Sequence, residues 1–263
     1  MKKIISLLLA LIICASVALT FTSCSDDTLV CGVTIFENMN EKDADGNWIG
    51  FESEFAMEVG KLIGMKVEFQ EIDWSQKYSE LNSGKIDCVW NGFTANSSDD
   101  GIERKDLVDF SYTYMLNQQC IVVKKADLAN YTSTDSLKGK KACVEGGSAG
   151  ASTAEGFTDA DKILKATSQL KAFPELKSGA VDFLVVDILL AQNLCGQGDY
   201  ADLAIVEAIE LESEIYAIGF KKGSELTAKV NDAIKQLEAD GTLKALAEKY
   251  GFENVLKITE KID

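Results

Sequence analysis

One phrase is written twice in this chain. ELNSGKIDCVWNGF runs from Glu80 to Phe93, and ELKSGAVDFLVVDI runs from Glu175 to Ile188. Both read Glu-Leu, any residue, Ser-Gly, any residue, a β-branched aliphatic, then Asp. Leu81 matches Leu176, Gly84 matches Gly179 and Asp87 matches Asp182, always at an offset of 95 residues. In each copy a short helix ends at a glycine, which tolerates the left-handed C-cap, and a buried strand follows. Repeated β-α-β units imply a largely parallel sheet in each half, and so two lobes of similar α/β design. Ligands bind at the C-terminal ends of strands in such sheets. Here those ends are Asn91-Gly92 and Val186-Asp187, which line one cleft if the lobes face each other.

The rest of the chain keeps this rhythm. Strands are predicted at Cys31 to Ile35, Val67 to Ile72, Ile86 to Trp90, Gln119 to Lys124, Lys141 to Val144 and Val181 to Val186. Helices are predicted from Glu52 to Ile63, with Phe55, Val59 and Leu62 on one face, from Gln76 to Leu81, from about Ala151, and from Leu170 to Leu176. The only proline, Pro174, falls near the start of that last helix, where proline is tolerated. Two amphipathic helices, parted by Asp240-Gly241, close the chain.

Residues 1–23 read as a secretory signal: Lys2-Lys3, the apolar run Ile4 to Leu19, then Phe21-Thr22-Ser23 before Cys24. A Cys directly after small residues resembles a bacterial lipobox. On that reading Cys24 is lipidated and anchors the chain to the outer face of the cell membrane, with 24–29 as a tether. A transmembrane anchor is the other reading of the apolar run, but it is short for one. Loss of Lys2 and Lys3 takes the net charge from −16 to −18. So acidic a surface repels nucleic acid and anionic lipid. The absence of histidine excludes Ser-His and Cys-His catalysis and His-ligated metal sites. No metal or cofactor is expected. Of seven cysteines, Cys31, Cys88, Cys120, Cys143 and Cys195 remain after Cys14 and Cys24. Their spacing matches no zinc motif, and they read as buried free thiols.

Asp187, at the end of the apolar strand FLVV, could hold an ammonium group or cap the following helix. Arg104 could grip a carboxylate with its planar fork or sit on the surface. The turn Glu145-Gly146-Gly147-Ser148-Ala149-Gly150 could offer free N–H groups to an anion or be an ordinary tight turn. Phe36 and Trp74 follow the first two strands and could wall a site or pack in the core.

The order of these pieces resembles the polar amino-acid-binding proteins of ABC importers, the type II periplasmic-binding-protein family. The resemblance rests on DADGNWIGFESEFAMEVGKLIGMKVEF, DW…YSELNSGKIDCVWNGFT, ERKDLVDFSYTYM, LKGKKACVEGGSAG, ELKSGAVDFLVVD and ADGTLKALAEKYG. It implies an α/β fold of two lobes joined by two hinge strands, with lobe one from 30–118 and 216–263 and lobe two, 119–215, inserted. It further implies that Arg104 clamps the ligand's α-carboxylate and Asp187 its α-ammonium. Asn91, Gly92 and Thr94 would add backbone and hydroxyl contacts, Ser148 and Ala149 would form the anion-binding turn, and Phe36 and Trp74 would sandwich the ligand side chain. The implied partners are a polar amino acid and an ABC transporter permease, and the protein would be a monomer. The chain departs from the family in the longer loop, Ala95 to Glu103, before Arg104. Basic-amino-acid binders carry an Asp where Val33 stands, which leans away from lysine, arginine and histidine as ligands. An enzyme on the same fold would need a positioned acid or base, for which Glu145 is the candidate without an evident partner. A receptor sensor would need a signalling segment after the lobes, and none precedes Asp263.

Overall fold

The computed structural model describes residues 28–260. The leader and Cys24 lie outside the described residues. A ten-stranded sheet runs through both lobes, and its two halves repeat one pattern. In lobe one the order is Lys66–Glu71, Thr28–Val33, Cys88–Val89, then the end of Ser213–Phe220. In lobe two it is Ile163–Ala166, Ala142–Glu145, Phe183–Asp187, then Asp109–Lys124. Each copy of the repeated strand lies parallel to the first strand of its lobe (Cys88 beside Cys31, Phe183 beside Ala142). Each is also antiparallel to a strand that crosses between the lobes.

The repeated phrase does the same work twice. Gly84 (φ 75°) and Gly179 (φ 82°) end their helices in the left-handed region, where other residues are strained. Leu81 and Leu176 are buried. The Asp87 carboxylate accepts from the Val30 N–H at 2.8 Å, and that of Asp182 accepts from the Lys141 N–H at 2.8 Å. Each Asp thus pins the strand beside its own, and the duplicated sequence is a duplicated staple.

The crossing strand Asp109–Lys124 is longer than the sequence suggests. Its 16 residues span roughly 50 Å, enough to serve both lobes. Residues up to Gln118 pair with Ser213–Phe220, while Gln119 to Val122 pair with Phe183–Asp187. Only QCIVVK is assigned to a strand from sequence, although the preceding DFSYTY alternates polar and aromatic residues with a strand's period of two. The predicted strand Ile86 to Trp90 is laddered only at Cys88–Val89. The predicted helix from Leu170 divides into a 3₁₀ turn, Leu170–Ala172, and a helix Phe173–Ser178 with Pro174 in its first turn. The first strand begins at Thr28, so the end of the expected tether belongs to the sheet. Residues of the long loop form a hairpin, Ser98–Asp99 with Ile102–Glu103, turned by Asp100 and Gly101 at positive φ.

The helix Phe51–Ile63 is held on the lobe-one sheet by Phe55, which meets Trp90 edge-on at 5.0 Å and Tyr114 at 5.6 Å. Cys31, Cys88, Cys120, Cys143 and Cys195 are free thiols, all buried except the half-buried Cys195. Among the described residues no helix is long and apolar enough to cross a membrane.

Candidate binding cleft

Four strand ends converge between the lobes. Lobe one supplies Thr34 to Phe36 after the first strand and Asn91 to Thr94 after the repeated strand. Lobe two supplies Glu145 to Ser148 and Asp187. The lips touch: Lys77 Nζ donates to the Gly147 carbonyl at 2.7 Å, and Thr34 Oγ1, which gives its proton to Asn91, stands 3.5 Å from Glu145 Oε1. Ser152 Oγ, from the helix Ala149–Glu155, donates to the Ser98 carbonyl of the long loop at 3.3 Å.

Arg104 is not a surface residue, being 1% exposed. Its Nη1 donates to the Thr94 carbonyl at 3.1 Å, and Nε and Nη2 donate to Asp99 Oδ1 at 3.2 and 2.8 Å. Its guanidinium also lies over the Phe93 ring at 5.1 Å. Asp99 comes from the long loop, and its carboxylate also meets Lys77 Nζ at 3.3 Å and accepts from the Tyr78 hydroxyl. Burial works against ionisation of Asp99, but Arg104 and Lys77 outweigh it and hold its carboxyl below the ordinary value. Burial, then Arg104, lowers Lys77 to about 8.

Asp187 stands at the N-cap position of the helix Ile188–Leu194, yet its side chain makes no cap bond. The carboxylate, 3% exposed, instead accepts from Asn117 Nδ2 at 3.0 Å, from Gln119 Nε2 and from Gln169 Nε2. Glu214, on the returning crossing strand, accepts from the same Asn117 and Gln119 amides at 2.8 and 3.1 Å and from Thr94 Oγ1 at 3.1 Å. Burial first, then Asp187, raises Glu214 to about 7 and Glu145 to about 8. Burial likewise raises Asp187 itself.

The remaining expected residues are placed as follows. Asn91 spends its side chain on Thr34, accepting from its N–H and hydroxyl and donating to its carbonyl. The Gly92 N–H donates to the buried Glu52 at 2.8 Å. Gly92 sits at φ 54°, and a Cβ there would stand 3.1 Å from the Tyr216 ring and 3.3 Å from Phe36. Ser148 Oγ caps its helix by accepting from the Ala151 N–H at 3.1 Å, and Ala149 is the buried first helical residue. Phe36 lies in the main buried apolar cluster, which includes residues of both lobes, whereas Trp74 packs edge-on against Phe93 at 5.5 Å in a separate cluster. The two are not in ring contact.

Sequence reading missed Glu52, Lys77, Asp99, Asn117, Gln119, Gln169 and Glu214. Only Glu52 leaves a local trace: with Phe55 and Val59 it falls on the apolar stripe of its helix, where a carboxylate demands partners. It receives them from Asn40, Tyr114 and Gly92, and burial raises its carboxyl to about 7. No group of His, Cys, Asp or Glu among the described residues is arranged to hold a metal ion.

Comparison with known proteins adds independent findings. The family model of bacterial extracellular solute-binding proteins, family 3, matches residues 29–254. The L-cystine-binding protein TcyJ of Escherichia coli (strain K12) is 30% identical over 214 residues, covering 81% of this chain and 78% of that protein. The arginine-binding extracellular protein ArtP of Bacillus subtilis (strain 168) is 30% identical over 258 residues, covering 92% and 96%. A Streptococcus pneumoniae ABC uptake transporter substrate-binding protein, solved with bound histidine, superposes with a TM-score of 0.77 at 29% identity, covering 89% and 96%.

Proposed function

The chain belongs to the bacterial extracellular solute-binding proteins, family 3, and on that premise we propose that its cleft captures a polar amino acid and presents it to an ABC transporter permease. The observation that carries this reading is the placement of opposite charges in two lobes, each held by groups other than its opposite. Arg104 reaches the cleft from lobe one and Asp187 from lobe two, both buried. Residues 119–215 form the inserted lobe. A zwitterion supplies a carboxylate to Arg104 and an ammonium to Asp187, and so favours the closed cleft by its differential affinity for that state. A thermal-shift screen of the twenty amino acids plus cystine is expected to show a rise in melting temperature with at least one. No shift with any of them, confirmed by calorimetry, overturns the reading.

The ligand carboxylate must exchange places with Asp99, which holds the Arg104 fork. Asp99→Asn is therefore expected to raise affinity about tenfold or more, because a charged competitor is removed. The empty variant should melt lower, since Lys77 and Arg104 lose their shared counter-charge. Weaker binding in Asp99→Asn would show that Asp99 positions Arg104 and does not compete for it.

Cys24 carries the lipid that tethers the protein to the membrane, and the protein acts as a monomer that returns its ligand chemically unchanged. N-terminal mass spectrometry of membrane-derived protein should find acyl chains on Cys24. An unmodified Cys24, or a mature chain that begins elsewhere, refutes the anchor.

A further inference from the structure

A neutral amino acid leaves the carboxyl groups of this cleft without a counter-charge whenever they ionise. Three buried carboxylates, Glu145, Asp187 and Glu214, border it, and no ion pair reaches any of them among the described residues. The cations of the cleft, Lys77 and Arg104, both pair with Asp99. Asp187 and Glu214 at least share the Asn117 and Gln119 amides. Glu145, 3% exposed, has only the long contact from Thr34 Oγ1 and the Gln169 backbone N–H. A second observation points the same way: Asn117 Oδ1, on a residue 5% exposed and beside these carboxylates, is a buried acceptor with no donor. Buried acceptors and anions without partners are costly, so the site is built for a ligand that brings donors and positive charge.

One ammonium answers one pole of this arrangement, at Asp187. Glu145 is a separate pole, on the turn that faces Thr34. A cavity of about 420 Å³ opens from Thr34 and Ile35 between the lobes, with Glu71 and Asp73 on one wall and Ser168 and Lys171 on the other. Glu145 does not line this cavity, but Thr34, whose Oγ1 stands 3.5 Å from Glu145 Oε1, does, so the space begins one residue from the carboxyl group. Val33, whose lack of charge leaned against a basic ligand, is fully buried in the main apolar cluster. The acid is supplied instead by the opposite lobe.

We propose that Glu145 is the specificity-determining residue of the cleft, receiving the cationic end of the ligand side chain, and that the substrate class is the basic amino acids. This rests on the amino-acid reading above. The charged groups facing Glu145 are Asp187, which with burial raises it to about 8, and Lys77, which opposes that rise. Glu145 is thus mostly protonated in the empty protein near neutral pH. A cation that docks against it expels the proton.

Calorimetry on the full mature chain decides the matter, with L-arginine, L-lysine and L-glutamine titrated near neutral pH in two buffers of different ionisation enthalpy. The wild type is expected to bind arginine or lysine at least about thirtyfold more tightly than glutamine. It should also release more protons with them than with glutamine, by up to about one per ligand. Glu145→Gln, which keeps the shape and removes the charge, should lose both differences. Equal affinity for glutamine and arginine in the wild type overturns the inference, as does a preference or proton release that survives Glu145→Gln. The wild-type comparison stands even if the variant folds poorly. Tight binding of a neutral amino acid with weak binding of basic ones removes this inference alone; no binding of any amino acid removes the proposed function with it.

Discussion

Arg104→Ala is expected to weaken amino-acid binding at least about thirtyfold and also to destabilise the empty protein. The affinity loss follows from the missing fork, which leaves a ligand carboxylate buried without its bidentate partner. The stability loss follows from where Arg104 sits. Its guanidinium is closed in by Phe93, the Thr94 carbonyl and Asp99, so truncation strands part of the Asp99 charge and opens a void. Breaking a buried pair costs about 3–5 kcal/mol. The Asp99 side chain keeps 15% of its exposure and Lys77 remains beside it, which favours the lower end. A loss of about 3 kcal/mol corresponds to roughly 6–12 °C in a chain of this size. Arg104→Lys should retain more stability than affinity, since it keeps the charge and loses the planar geometry. Thermal melts of the empty variants beside calorimetry separate the two effects. An Arg104→Ala protein that melts and binds like the wild type would mean that Arg104 neither holds the ligand nor supports the fold.

The empty protein is also expected to lose stability as pH rises from about 5 to about 8, a range in which many proteins are most stable. Burial raises Glu52 and Glu214 to about 7 and Glu145 to about 8, from an ordinary value of 4.5. In that window the folded chain holds protons that the unfolded chain has released. The stabilisation is complete below about 4.5 and is lost as pH passes through the folded values. A carboxyl whose pKa rises by one on folding contributes about 1.4 kcal/mol, and three groups act together, so a loss of at least about 3 kcal/mol is expected. Carboxyls held low, such as Glu54 and Asp99, act on the acid side of the window. Lys77, lowered to about 8, limits the useful range at the other end. Denaturant midpoints at four pH values across the window give the slope, and Glu145→Gln with Glu214→Gln should flatten it. A stability that is level or climbs over this range would mean that the buried carboxylates are ionised and compensated by groups other than those described.

Much of the architecture was legible because it is local. Each copy of Glu-Leu-x-Ser-Gly carries its own helix stop, and each following Asp its own staple, so the doubled phrase announces two lobes before any contact between them is known. The helix Phe51–Ile63 and the two last helices declare themselves by apolar spacing. End-of-strand position was enough to single out Asp187 and Asn91-Gly92, because a parallel sheet directs such ends to one edge. The N-terminal half of the crossing strand and the short strand Leu256–Thr259 escaped, because their ladders depend on partners from distant parts of the chain.

By itself, the sequence determined the two-lobe duplication, the helices that clothe it and the strand ends that form the cleft, since those depend on spacing within a few residues. Only the tertiary structure decided what surrounds each cleft residue. Asp187 could be a cap until Asn117, Gln119 and Gln169 were seen to take its carboxylate from 18 to 70 positions away, leaving the helix end uncapped by it. Arg104 could be exposed until Asp99 and Phe93 were seen around it. Thr94 and Glu214 meet across 120 residues. Charge compensation in a buried site depends on distance in space and on the exclusion of water, and neither is written in the local order of residues.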